Sequence, residues 1–187
     1  NLGGDSRTLV PIVSAGAAYV GNFVTDNTSA GGANQYQKNG YAGLLVSGTD
    51  LHLALTSAIT AAALSGGTVG NLTLGAIGSL YFDTNATVGG VSKVNDVNLF
   101  AMQGLSSNNG ILTSGNNLTV QASASVRLIG TLDASGTTAG GVVTITAGTG
   151  ATHQLLAGSI ISAGSGTGGV IALTASAGRV QTGDLIT

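Results

Sequence analysis

VTITA, residues 143–147, alternates apolar and polar side chains and closes on alanine. Such alternation puts Val143, Ile145 and Ala147 on one face of an extended chain and Thr144 and Thr146 on the other. One pentad of this kind is a weak signal, but it recurs. LTLGA (72–76), VNLFA (97–101), LTVQA (118–122) and IALTA (171–175) share its pattern, with successive starts 25, 21, 25 and 28 residues apart. The last two copies belong to a longer echo. GTLDASGTTAGGVVTITAGTG (130–150) and GSIISAGSGTGGVIALTASAG (158–178) agree at eight positions: Gly130/Gly158, Gly136/Gly164, Gly140/Gly168, Gly141/Gly169, Val142/Val170, Thr146/Thr174, Ala147/Ala175 and Gly150/Gly178. LHLAL (51–55) reads as a sixth, imperfect pentad.

A second apolar segment follows each pentad, at Leu80/Phe82, Leu105, Val126/Leu128, Leu155 and Val180. A third follows more loosely, at Val88, Ile111, Leu132, Ile160 and Leu185. Gly, Asn and Ser separate the segments, residues that take φ > 0 or bond their own backbone in turns. Three short strands per repeat of 21–28 residues describe a parallel β-helix, in which coils stack at about 4.8 Å and inward aliphatics form continuous rows. The expectation is an all-β parallel β-helix (solenoid) of about five three-stranded coils over 71–187, with 1–70 as a less regular capping, assembly or strand-donating region. The leucine-rich frame L-x-x-L-x-L-x-x-N and the calcium-binding frame G-G-x-G-x-D are both absent from the chain. An antiparallel sandwich has no need of one pentad repeated at this interval.

Residues 1–70 hold all but one of the four Tyr residues and the only Pro. Pro11 lacks the N–H that a central ladder position requires, so TLVPIV (8–13) reads as an edge or capping strand. In DLHLALTSAITAAALSGG (50–67) the first half alternates like a strand. SAITAAAL has helix formers and a Gly pair suited to a C-cap, which predicts a short helix covering one end of the solenoid. At the other end TGDLIT begins to echo IGTLDA (129–134) and AGSIIS (157–162) and then stops. An ending inside a coil implies either an excerpt of a longer solenoid or an end that stacks on another subunit. Leu185 and Ile186 at one end, with Leu9, Val10 and Ile12 at the other, are the candidate subunit contacts. Alternatively the 1–25 strand is donated into the next subunit by β-augmentation.

Charge narrows the partners. Only 6% of residues are charged, with seven acids against five bases and a net charge of −2. No basic cluster offers the footprint that nucleic acid or an anionic membrane requires. The longest apolar run, LALTSAITAAAL (53–64), falls short of a bilayer span. A surface covered by Thr, Ser, Asn and Gly, without Cys, suits an exported bacterial surface protein.

No motif commits the chain to chemistry. GSGTGG (164–169) fits G-x-G-x-x-G, but dinucleotide binding needs a helix where Val170 begins a strand. His52 and His153 are a hundred residues apart, and only Asp50 has metal-like spacing to His52, whereas zinc needs three or four ligands. Asp83, Asp96, Asp133 and Asp184 fall on different coils and read as solvated turn residues. Lys93 is near Asp96 in sequence, and Arg127 and Arg179 fall in or beside the second strand of their coils, a pattern that chance scatter explains. Four N-x-S/T sequons, at Asn27, Asn71, Asn85 and Asn117, are near what thirteen Asn residues produce by chance. Asn71, Asp96 and Asn117 each immediately precede a pentad, so in a β-helix they stack as a polar ladder that stabilises the solenoid.

NNGILTSGNNLTVQASASVRLIGTLDASG (108–136), with the echo quoted above, resembles the Gly-punctuated, Thr-rich coils of filamentous-haemagglutinin-type exoproteins and autotransporter passengers of Gram-negative bacteria. The similarity covers about 70–187. NNGI (108–111) resembles that family's secretion-domain N-P-N-G-I motif but lacks its Pro. The resemblance implies export, surface exposure and adhesion or matrix building, with no cofactor. The expectation is a non-enzymatic structural or adhesive segment of an extracellular bacterial fibre. Its partners would be further copies of the same chain or adjoining repeats, with surface glycans as a second class. The rival is a carbohydrate-binding or polysaccharide-degrading β-helix module, against which three Phe, four Tyr and no Trp count.

Overall fold

The computed structural model describes residues 12–14, 18–20, 23–26, 41–47, 49–53, 58–62, 71–82, 87–89, 96–114 and 116–187. Its pentads stack one on another in a parallel sheet ordered Ile12–Ser14, Tyr41–Ser47, Asn71–Ala76, Val97–Ala101, Leu118–Ala122, Val142–Ala147 and Val170–Ala175. Register is kept from pentad to pentad. Leu72 lies opposite Val97, Val97 opposite Leu118, Leu118 opposite Val143, and Val143 opposite Ile171. Four full turns of an all-β parallel solenoid therefore carry the chain from Leu72 to Ile171, and the described residues contain no helix.

In-register stacking explains the pentad. A one-residue slip would turn Val143 and Ile145 out to solvent, so each strand accepts only a neighbour of the same parity. The inward row of Leu74, Leu99, Val120 and Ile145 is at most 1% exposed. A second column pairs Leu51, Leu80, Leu105, Val126, Leu155 and Val180 in sequence, and the first five are equally buried. A third aligns Val88, Leu112, Leu132, Ile160 and Leu185. The buried aliphatics of all three columns form a single cluster, against which Ile171, Leu173 and Ala175 pack partly buried. No coil is thick enough to bury both sides of its own interior, so each coil depends on its neighbours for cover.

Three local expectations are corrected by the structure. Leu51–Leu53 pairs with Leu80–Phe82 and belongs to the second column, so LHLAL is not the sixth pentad. That place is taken by residues 43–47, with Gly43 opposite Leu72 and Ser47 opposite Ala76. Alternation identifies the buried face of a strand and is the same in every column, so it cannot say which column a strand joins. The described part of SAITAAAL is not helical: Ala58–Ala62 is a strand between Phe23–Asp26 and Thr87–Gly89, where two flanking ladders outweigh the helix propensity of alanine. Leu112, not Ile111, stands in the third row, because the register shifts by one residue between Ser107 and Gly110 on the way into that column. Pro11 and residues 1–10 lie outside the described residues, as do Asp83, Asn85 and Lys93.

Stacking also accounts for the 28-residue echo. Val142 pairs with Val170 and Ala147 with Ala175, so the shared residues sit on one another. Gly130 has φ of 129°, a conformation open to glycine, and a β-carbon on its neighbour Gly158 would strike the Gly130 carbonyl. Gly150/Gly178 is the exception. The first corner of the coil carrying VTITA is three residues longer, so Leu155 meets Val180 at a spacing of 25 and Gly178 packs on His153 instead.

Candidate functional site

The outward face of the pentad sheet is set by the parity that fills the core. One row runs Thr73, Asn98, Thr119, Thr144 and Ala172, and the next Gly75, Phe100, Gln121, Thr146 and Thr174. Neither row holds a charge. A β-carbon built on Gly75 would fall on the Phe100 ring, directly beneath Cζ and equally close to Cε1 and Cε2. The ring therefore lies face-down over the backbone of the preceding coil, covering the strand where glycine leaves it bare. Ile77 and Met102, at the corner that follows, are 54% and 58% exposed. Further along the same face a shallow recess of about 220 Å³ is lined by Gln121, Ser123, Thr146 and Thr149, floored by Ala122, Ala147 and Gly148.

Two corners carry ladders in which a side chain of one coil accepts from the backbone of the next. Before the pentads, Asp96 Oδ1 accepts Nδ2 of Asn116 at 2.9 Å, and both the backbone N–H and Nδ2 of Asn117 at 3.1 Å. Asn117 Oδ1 in turn accepts the Val142 N–H at 3.1 Å. The polar ladder expected from sequence is thus present between Asp96 and Asn117. Asn117 uses both ends of its amide in it, with Nδ2 donating one bond to Asp96 and Oδ1 accepting the Val142 N–H. Before the second column, Asp50 Oδ1 accepts Ser79 N–H at 2.7 Å, Ser79 Oγ accepts Gly104 N–H at 3.4 Å, and Ser125 Oγ accepts Gln154 N–H at 3.0 Å. These N–H groups lie at strand starts, where the chain turns and the regular ladder is not yet established.

Asp96→Ala should therefore lower stability by about 2 kcal/mol, since one oxygen serves three donors. Asp96→Asn keeps an acceptor there and should recover more than half of the loss. Urea unfolding of the three proteins checks the order.

Most of the candidate chemistry resolves into such corners. Asp133 Oδ1 accepts the Ser135 N–H at 2.7 Å within its own turn. Like Asp96, it reads in the sequence as a solvated turn residue and in addition caps a corner, as Asp50 does. His153 Nδ1 accepts the Gly150 N–H at 3.1 Å and closes its loop. The His52 ring stacks on Tyr81 with centroids 4.7 Å apart. Among the described residues no three His, Cys, Asp or Glu side chains come together as a metal would require. GSGTGG (164–169) leads directly into the strand Val170–Ala175. Its Gly164 packs on Ala139 and its Gly169 on Gly141, coil on coil.

Of the candidate subunit contacts, Leu9 and Val10 lie outside the described residues. Ile12 pairs through its backbone with Leu45. Leu185 and Ile186 pair with Ile160 and Ile161 and are 51% and 47% exposed. The Phe100–Gly75 cover was not found from the sequence. Its signal was there, in an aromatic and a glycine at the same pentad position of consecutive coils. Compared with family models, with curated proteins and with solved structures, the chain matches none.

Proposed function

We propose that this solenoid is a non-enzymatic structural or adhesive segment of an exported bacterial surface fibre, extended by coil-on-coil stacking. The observation that carries this is a set of inward apolar rows that stay in register through four turns, each coil covering the apolar edge of the next. Val143 and Ile145 are fully buried, whereas Ile171 and Leu173 directly above them are only partly so. Leu185 and Ile186 expose about half of their surface. A coil of the same pattern would remove that apolar area from water and pair the strand edge. It would do so whether it came from the same chain or from another copy. A surface of Thr, Ser, Asn and Gly with little charge lets neighbouring rods approach with little repulsion. The resemblance of the repeats to haemagglutinin-type exoproteins supports export and surface exposure.

Sedimentation and negative-stain microscopy of the purified chain over a rising concentration series test the proposal. Linear assemblies of uniform width are expected, and the double variant Leu185→Lys, Ile186→Lys should need at least tenfold more protein to form them. Both side chains are exposed, so the fold tolerates the change. A chain that stays monomeric at every concentration, or assembles equally well with both lysines, overturns extension by another copy.

A further inference from the structure

We propose that the outward face of the pentad sheet binds a neutral oligosaccharide, with Phe100 as its stacking platform and the recess beside Gln121 as its hydrogen-bonding end. This goes with the adhesive half of the reading above. A rod that assembles but binds no glycan would keep the fibre and lose this site.

Three features of the face select that ligand. Phe100 lies flat on Gly75, which presents the opposite ring face outward and fixes the side chain before any ligand arrives. An aromatic face of this kind packs against the apolar C–H face of a pyranose, at little entropic cost because the ring is already held. Exposed Ile77 and Met102 lie beside it at the same corner and extend the apolar strip. The second feature is the recess of about 220 Å³, which offers the Gln121 amide and the hydroxyls of Ser123, Thr146 and Thr149. Those groups donate and accept without charge, as sugar hydroxyls do.

The third feature is the absence of any charged side chain from the two outward rows, which leaves nothing to attract a sulfate or uronate. Size follows from the coil stacking. The ring covers the coil of Gly75, and the recess lies between the coils of Gln121 and Thr146. Between two and three coil steps separate them, roughly 12 Å at about 4.8 Å each. A ligand that reaches both is a chain of several sugars lying along the solenoid axis, and a monosaccharide reaches only one.

The test uses the whole chain on an array of neutral glucose-, galactose-, mannose-, xylose- and N-acetylglucosamine-based saccharides of one to six units. Sulfated and uronate-containing oligosaccharides and an apolar peptide are included, and calorimetry follows on any ligand bound. At least one neutral series should bind, with affinity rising at least tenfold from one unit to four. Phe100→Leu, which keeps an apolar cover over Gly75, should weaken binding at least tenfold, and Phe100→Trp should restore it. Gln121→Ala should cost several-fold, and Arg127→Ala, on the other sheet, nothing. Circular dichroism confirms that each variant is folded. Binding only to charged saccharides or only to the apolar peptide overturns the site, as does binding to no neutral saccharide, or an affinity that Phe100→Leu leaves unchanged.

Discussion

Val120→Asp should abolish the cooperative thermal transition and most of the β-sheet circular dichroism. Val120 is fully buried in the row of Leu74, Leu99 and Ile145, with one strand on either side. An ionised carboxylate placed there is separated from water on every side, at a cost of several kcal/mol even after relaxation. Set against a total stability of about 5–15 kcal/mol, that loss is decisive. The damage also spreads, because the coils of Leu99 and Ile145 both use Val120 as the cover for their own apolar edges. Thr119→Asp, one residue away on the outward face, leaves the row intact and should change stability by less than about 1 kcal/mol. If Val120→Asp melts as sharply as the parent protein, the inward rows are not what holds the solenoid together.

That contrast between adjacent residues reflects how much of the fold was legible beforehand. Parity is local, so the inward set of every pentad could be read from five residues, and its recurrence gave the parallel stacking. Column membership is not local. LHL at 51–53 has the right parity, yet it sits in the second column because the strand of residues 43–47 already occupies the first. GLLVS (43–47) hid its place by ending on serine rather than alanine and by running apolar residues together. The slip from Ile111 to Leu112 has a similar origin: the turn into the third column uses a shifted register, and no alternation crosses it. Helix propensity misled at 58–62 because it weighs a segment alone, whereas this one is paired on both edges.

The site was legible to a lesser degree. The Asp96–Asn117 ladder could be read because both residues stand one place before a pentad, and stacking makes equal positions neighbours. The second ladder mixes Asp50, Ser79 and Ser125, whose shared role lies in accepting an N–H rather than in residue type. Asp50, Asp96 and Asp133, far apart along the chain, each accept a backbone N–H at a corner.

Gly141→Ala should cost about 3 kcal/mol, while Gly104→Ala should stabilise by about 0.5 kcal/mol. At Gly141 a β-carbon would fall on the backbone carbonyl of Asn116 in the preceding coil, with the Ala134 oxygen only 3.1 Å away. Both obstacles are main chain and cannot rotate aside. Moving residue 141 would stretch its N–H bond to the Ala134 carbonyl, now 2.9 Å, and pull Val142 from the Asn117 amide. At Gly104 the nearest atoms to a new β-carbon are the Ser125 carbonyl at 3.5 Å and Ser79 Oγ at 3.9 Å, ordinary contact distances. What remains there is the entropy alanine removes from the unfolded chain, which favours folding. Urea unfolding of both variants against the parent measures the two signs. A Gly141→Ala variant as stable as Gly104→Ala would mean that coil-to-coil contact at the corner before the pentads is looser than the structure has it. Opposite signs would mean that Gly141 and Gly169 match because each coil leaves its neighbour no room for a side chain. Repetition of glycine would then be imposed by stacking, position by position, rather than by composition.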